Sequence, residues 1–261
     1  MGVLNITPDS FSDGGLFFEA QSAIDQAVLM VEQGADIIDI GGESTRPGAT
    51  EVSAEDELKR VLPVIEALSG NIDVPISIDT SKPVVMRRAF DAGASIINDV
   101  YALRSEGALE MAASLGADVC LMHMQGNPRT MQKNPKYDDV VSDVKFFFTE
   151  RLEACSAVGI KLESITLDPG FGFGKNLAHN IALLKNLAEF HDFGVSILAG
   201  LSRKSMIGSL LGDKEVDSRM IGSVTAALIA VENGANIIRA HDVAETKDAL
   251  TVWQQIKHFR E

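Results

Sequence analysis

The chain has 261 residues, 46% hydrophobic and 23% charged, a length near that of one (β/α)8 barrel and a composition ordinary for a folded soluble protein. Its formal net charge of −14 argues against a general nucleic-acid or membrane-surface binder, because both need a basic face. Two cysteines do not indicate a disulfide framework, and no signal peptide or apolar run near the ~18 residues of a membrane helix is present, so a reducing cytoplasm is expected.

In chain order, the first apolar run is Gly2-Val3-Leu4, followed by a stretch of helical period over 22–33. Gly34-Ala35-Asp36-Ile37-Ile38-Asp39 then opens a pattern that returns as Gly93-Ala94-Ser95-Ile96-Ile97-Asn98, Gly116-Ala117-Asp118-Val119-Cys120-Leu121 and Gly234-Ala235-Asn236-Ile237-Ile238-Arg239. The Gly suits the left-handed position that ends a helix, and the short β-branched run reads as a strand buried on both faces of a parallel sheet. Pro75-Ile76-Ser77-Ile78, Ile165-Thr166-Leu167 and Val195-Ser196-Ile197-Leu198 complete eight strands. Amphipathic helices are expected over 54–68, 83–92, 140–158, 181–190, 218–233 and 243–259. Eight alternating units without a composition break predict one domain, 1–261, folded as an α/β (β/α)8 TIM barrel. A doubly wound open sheet is the competing architecture. Cys120 and Cys155 are expected to be buried thiols.

Nearly every predicted strand ends in a polar residue: Asn5, Asp39, Asp79, Asn98 with Asp99, His123, Asp168, Ser202 with Arg203 and Lys204, and Arg239 with His241. One such residue is more often a helix cap or turn former; Asp99 and Ser202 are read as caps, and Asp242 as the start of the last helix. Eight in succession point to one active-site mouth. Asp39, Asp79, Asn98 and Asp168 would supply acceptors for a polar heterocycle. Arg46, Lys204, Arg239 and His241 would supply cations for phosphate oxygens. Asn5 offers a hard oxygen suited to a phosphate-bound Mg2+.

The segment Asp168-Pro169-Gly170-Phe171-Gly172-Phe173-Gly174-Lys175-Asn176 fits neither a P-loop nor the dinucleotide fingerprint. It reads as a close-approach loop with a Phe able to stack on a planar ligand. Loops 9–15 and 43–53 follow early strands and are expected to act as lids over the mouth.

With those residues in view the chain closely resembles the dihydropteroate synthase family, within the pterin-binding barrels. The matching segments run from Met1 to Gly15 through Asp39-Ile40-Gly41-Gly42-Glu43-Ser44-Thr45-Arg46-Pro47-Gly48, Ile78-Asp79-Thr80, Ile97-Asn98-Asp99 and Met122-His123-Met124-Gln125-Gly126. They continue with Asp168 to Lys175, Ser202-Arg203-Lys204-Ser205 and Arg239-Ala240-His241-Asp242. The resemblance implies condensation of a pterin diphosphate with p-aminobenzoate in folate biosynthesis, releasing pyrophosphate. It implies Asp39, Asp79, Asn98, Met122, Asp168 and Lys204 at the pterin, and Asn5, Arg46, Arg239 and His241 at the diphosphate, with Asn5 acting through Mg2+. Thr45, Arg46, Pro47, Phe173, Lys204 and Ser205 would shape the p-aminobenzoate pocket. Asp79, Lys204, Arg239, His241 and Arg46 would carry catalysis, without a covalent nucleophile. Sulfonamide sensitivity and a homodimer formed through the late helices, including Trp253, are also implied. Members of the family generally carry a short segment before the first motif. Here the motif begins at Met1, which is expected to affect the barrel floor and not the site.

Two rivals are weighed. A pterin-dependent methyltransferase would share the barrel and its acidic ring site, but Ser202-Arg203-Lys204-Ser205 and the Thr-Arg-Pro-Gly loop favour the synthase. A catalytically silent pterin-binding protein would be expected to have lost a site position, and none is lost.

Overall fold

A computed structural model describes residues 1–6, 15–45, 48–128 and 130–259, with the side chains of 15–19 outside that description. Eight strands alternate with helices. They are β1 (Gly2–Asn5), α1 (Gly15–Glu32), β2 (Ile38–Gly41), α2 (Ala54–Leu68), β3 (Ile76–Asp79), α3 (Pro83–Asp91), β4 (Ile96–Asp99) and α4 (Ala108–Leu115). The second half continues with β5 (Asp118–Met122), α5 (Val140–Ala157), β6 (Ile165–Asp168), α6 (Leu177–Lys185), β7 (Ser196–Ala199), α7 (Ser205–Leu210), α8 (Met220–Glu232), β8 (Ile237–Ile238) and α9 (Val243–Lys257).

All strand pairs are parallel and follow chain order from β1 to β8. A parallel bridge between Gly2 and Ala240 joins the last strand to the first, with the Val3 amide donating to the Ala240 carbonyl at 3.1 Å. The sheet therefore closes into a (β/α)8 barrel, which excludes the open-sheet alternative. The Gly-Ala punctuation works as the sequence suggests. Gly93 and Gly234 sit at φ of 119° and 106°, and a Cβ there would lie 2.1 Å from Ser69 Oγ and 2.4 Å from His191 Nε2. Only glycine fits these turns.

Side-chain alternation divides each strand between two environments. Ile38, Ile40, Ile78, Ile97, Leu121, Leu167 and Ile197 are fully buried in one apolar core that also takes in the helices. Asp39 and Ser77 stand opposite each other in the β2–β3 register, and Asp79 opposite Asn98 in β3–β4. Polar side chains thus line the barrel interior at the end where every strand finishes.

The expected helices form, with boundary changes that have local causes. The stretch expected over 181–190 divides into α6 and a 3-10 segment, Leu187–Phe193. Asn176 starts α6 earlier, its side chain accepting from the His179 amide while the His179 ring accepts from the Asn176 amide. Two short helices, α4 and α7, were not singled out by periodicity, having only 8 and 6 residues. Cys120 and Cys155 are buried, free thiols. Among the described residues no helix is long and apolar enough to cross a membrane.

Candidate active site

The centre of the mouth is a charged bridge across the barrel. Asp39, fully buried in β2, accepts from the Ser77 hydroxyl at 2.6 Å, from Asn98 Nδ2 at 3.0 Å and from Arg239 Nε at 2.6 Å. Arg239, one residue past β8, also donates through Nη2 to Asp79 at 2.9 Å. Burial alone would weaken the guanidinium as a cation, but Asp39 and Asp79 outweigh it and hold its pKa above the ordinary range. Burial lifts the Asp79 carboxyl to about 7, with Asp39 adding to the rise and Arg239 opposing it.

Beside this bridge stands a second acid–base pair. Burial raises Asp168, and Lys204 pulls it back. Burial also lowers Lys204 to about 8, partly offset by Asp168. A Cβ at Gly200 would lie 3.7 Å from Lys204 Nζ, 3.9 Å from Arg239 Cβ and 4.0 Å from Asp168 Oδ2, so these three groups converge on one point. Lys204 Nζ donates to the Phe171 carbonyl and lies 4.7 Å from the centre of the Phe173 ring, a cation–π contact. Met122, Val100, Met124 and Met131 form a small buried apolar cluster against which Phe173 and Tyr101 pack.

The glycine-rich loop after β6 is a close-approach loop. Gly170 has φ of 70°, and a Cβ on it would fall 1.9 Å from the His123 carbonyl oxygen. Lys175 fastens the loop from beneath. Its buried ammonium contacts the carbonyls of Gly170 and Phe173 at 3.0 Å each, the His123 carbonyl at 3.3 Å and His123 Nδ1 at 2.9 Å. Burial, and then the Lys175 charge, hold His123 at about 2, so it stays neutral and accepts. His123 therefore belongs to the support and not to the mouth. A Lys175→Met protein is expected to lose about 2–4 kcal/mol of stability, since several buried acceptors lose one shared donor. The check is a lower denaturant midpoint at unchanged m-value.

A cavity of about 370 Å³ opens over the β2–β4 side of the mouth, with Asp79, Thr80 and Thr45 in its wall. Lys82 also lines it, pairing with Glu43 and with the buried Glu57. Glu43 in turn accepts from the Val52 amide at 3.1 Å, which ties the two ends of the second early loop together.

A family model for pterin binding enzymes matches residues 1–241. A dihydropteroate synthase of Haemophilus influenzae is 58% identical over 254 residues, covering 97% of this chain and 92% of that protein. The chain belongs to the dihydropteroate synthase family. Solved structures agree. The Xanthomonas albilineans dihydropteroate synthase with 4-aminobenzoic acid superposes with a TM-score of 0.94 at 51% identity, over 100% of this chain and 93% of that one. The same organism's enzyme in complex with 7,8-dihydropteroate gives 0.91 at 48% identity, over 100% and 94%. As a member of that family the chain is a transferase.

Within this dihydropteroate synthase fold, the residues singled out from sequence divide as follows. Asp39, Asp79, Asn98, Asp168, Lys204 and Arg239 form the mouth. Asn5 is close by: a Cβ at Gly41 would contact both Asn5 Oδ1, at 3.7 Å, and Asp79, at 3.5 Å. Thr45 lines the cavity, and Ser205 opens α7 directly after Lys204. Arg46, Pro47 and nearly all of loop 9–15 lie outside the described residues. Two cap assignments change. Ser202 caps no helix; its hydroxyl meets His241. Asp99 likewise caps no helix; it forms a turn, accepting from the amides of Tyr101 and Leu103 at 2.8 Å. Asp242 starts α9 as expected, standing as its N-cap residue, and its carboxylate holds Arg203.

The acidic and basic sets singled out by charge meet directly. Arg239 is bonded to Asp39 and Asp79, so the two sets share one network. Ser77 and Lys175 were missed as supports. Ser77 was legible as the alternate, inward position of an otherwise isoleucine strand. Lys175 had no such signal, since its partners are mostly backbone carbonyls.

Proposed function

We propose that the mouth condenses 6-hydroxymethyl-7,8-dihydropterin diphosphate with p-aminobenzoate, giving 7,8-dihydropteroate and pyrophosphate. The observation that carries this reading is the convergence of Asp79, Asn98, Asp168 and Lys204 on the flank of the Asp39–Arg239 bridge. That arrangement offers acceptors for ring N–H groups, a donor for a ring acceptor, and a cation beside the departing group. The ligands named for the Xanthomonas enzyme, 4-aminobenzoic acid and 7,8-dihydropteroate, support this reading.

In this mechanism Asp79, Asn98, Asp168 and Lys204 hold the ring, and Met122 packs against its face. Arg239 Nη1 has no partner among the described residues, which leaves it for the diphosphate alongside His241 and Arg46. Thr45, Arg46, Pro47, Phe173, Lys204 and Ser205 shape the arylamine pocket. An arylamine is a weak nucleophile, so departure of the diphosphate leads, and positive charge spreads from the methylene into the ring. Asp79 and Asp168 stabilise that charge; Arg239 and His241 stabilise the leaving anion.

Among the described residues no group of three His, Cys, Asp or Glu side chains could hold a metal. The amide oxygen of Asn5, a hard ligand, would suit a Mg2+ brought in with the diphosphate. Bound there, the ion would supply charge neutralisation. A cytoplasmic homodimer completes the reading. Ile221 on α8 and Ile256 on α9 are 76% and 73% exposed, which supports contact through the late helices.

The test is incubation with the pterin diphosphate, Mg2+ and p-aminobenzoate while following pyrophosphate. Release that depends on p-aminobenzoate is expected. Release indifferent to p-aminobenzoate, or none at all, would overturn the assignment.

A further inference from the structure

The turn after β7 grips the residues after β8 through two neighbouring pairs. Ser202 Oγ lies 3.1 Å from the His241 amide nitrogen and 3.0 Å from His241 Nδ1. One residue on, Arg203 Nε and Nη2 donate to the Asp242 carboxylate at 3.1 and 2.6 Å. Arg203 is held at φ of 58°, a left-handed conformation that a non-glycine residue keeps only where its surroundings impose it. Here the Arg203 amide donates to Ser223 Oγ at 2.9 Å, and its carbonyl accepts from Arg219 Nη1 at 3.1 Å. The turn is strained and pinned on several sides, and Ser202 is presented to His241 in one orientation.

We propose that Ser202 is a positioning residue for pyrophosphate departure, selecting the form of His241 that carries a hydrogen on Nε2. A serine hydroxyl has one hydrogen and two lone pairs. One lone pair is taken by the His241 amide. When the neutral ring carries its hydrogen on Nε2, the Ser202 hydrogen goes to bare Nδ1, and the Ser202 hydroxyl is satisfied as both donor and acceptor. When the ring hydrogen sits on Nδ1 instead, two donors point at the Ser202 oxygen. Its own hydrogen then has no acceptor among the described residues, so at this half-buried position it must turn to water, and the first arrangement, satisfied within the protein, is favoured. The charged ring, with both nitrogens protonated, still donates through Nε2. In either charge state His241 is kept as a donor, the property that stabilisation of a leaving oxyanion requires. This inference rests on the reading of His241 as a diphosphate ligand.

The experiment titrates inorganic pyrophosphate with Mg2+, and separately unphosphorylated 6-hydroxymethylpterin, into the intact protein by calorimetry. Ser202→Ala is expected to weaken pyrophosphate about 10- to 100-fold, the usual range for removing a partner that orients a ligand group. It should lower kcat similarly and leave the unphosphorylated pterin unchanged. Ser202→Thr, which keeps the hydroxyl, should restore both, and this rescue separates positioning from a fold defect. In a Ser202→Ala/His241→Ala protein the loss should be no greater than in His241→Ala alone, because one residue acts through the other. If His241→Ala weakens pyrophosphate and Ser202→Ala does not, Ser202 has no such role. Equal weakening of both ligands by Ser202→Ala would also overturn the inference. If His241→Ala itself leaves pyrophosphate affinity intact, the diphosphate reading of His241 fails first.

Discussion

An Arg239→Met protein is expected to be inactive and about 3–5 kcal/mol less stable than the parent, the usual cost of removing one partner from a buried ion pair. The cost arises at Asp39. That carboxylate is fully buried and loses its directly bonded counter-charge, keeping Ser77 and Asn98 as its hydrogen-bond donors among the described residues, both neutral. Met fills much of the guanidinium stem's volume, so a cavity contributes little. Adding Asp39→Asn should therefore recover most of the stability by removing the stranded charge, while activity stays lost because nothing replaces the cation beside the diphosphate. Denaturant midpoints measure the first effect and pyrophosphate release the second. A single variant as stable as the parent would show that Asp39 does not depend on Arg239, and the bridge would then be no central support of the mouth.

That bridge also marks where the sequence stops being legible. The barrel could be read because each unit repeats a local requirement. A helix must end in a left-handed residue, and a two-sided buried strand must be short and β-branched. Gly93 and Gly234 express the first, and Ile96-Ile97 and Ile237-Ile238 the second. The polar strand ends could be gathered into one site because parallel strands in a barrel all finish on the same side. Their pairing could not be read. Asp39 and Arg239 are 200 residues apart, and nothing local says which acid meets which base. Sorting by charge separated them, whereas in a poorly solvated interior opposite charges must meet. His123 failed for a related reason. It ends a strand like its neighbours, but Lys175, buried beneath the glycine-rich loop, draws its Nδ1 into the support. Ser202 passed for a cap because its partner, His241, lies on another strand end 39 residues away.

Asp79→Asn separates function from stability with opposite signs. The ring site needs Asp79 as a carboxylate to accept from ring N–H groups, and Lys204 as an ammonium to donate. With Asp79 at about 7 and Lys204 at about 8, affinity for unphosphorylated 6-hydroxymethylpterin should peak between those values. It should fall in acid as Asp79 takes up a proton and in base as Lys204 loses one, with limbs that are apparent values of a coupled network. Asp79→Asn should weaken binding about 10- to 100-fold near neutrality, the cost of losing hydrogen bonds to a charged acceptor, and should erase the acid limb. Stability runs the other way. The folded carboxyl titrates above its unfolded value, so its proton favours the fold fully below about pH 4, and that contribution is lost as pH rises through about 7. The Asn variant never ionises there. Relative to the parent it should therefore gain stability as pH rises from about 4 to above 7, by up to a few kcal/mol, although it loses the charge facing Arg239. Parallel stability curves for parent and variant across that window would show that Asp79 ionises as easily in the folded protein as in the unfolded chain. An acid limb that survives in the Asn variant would move the ring's essential carboxylate to Asp168, the other acid of the proposed ring site whose pKa is raised by burial.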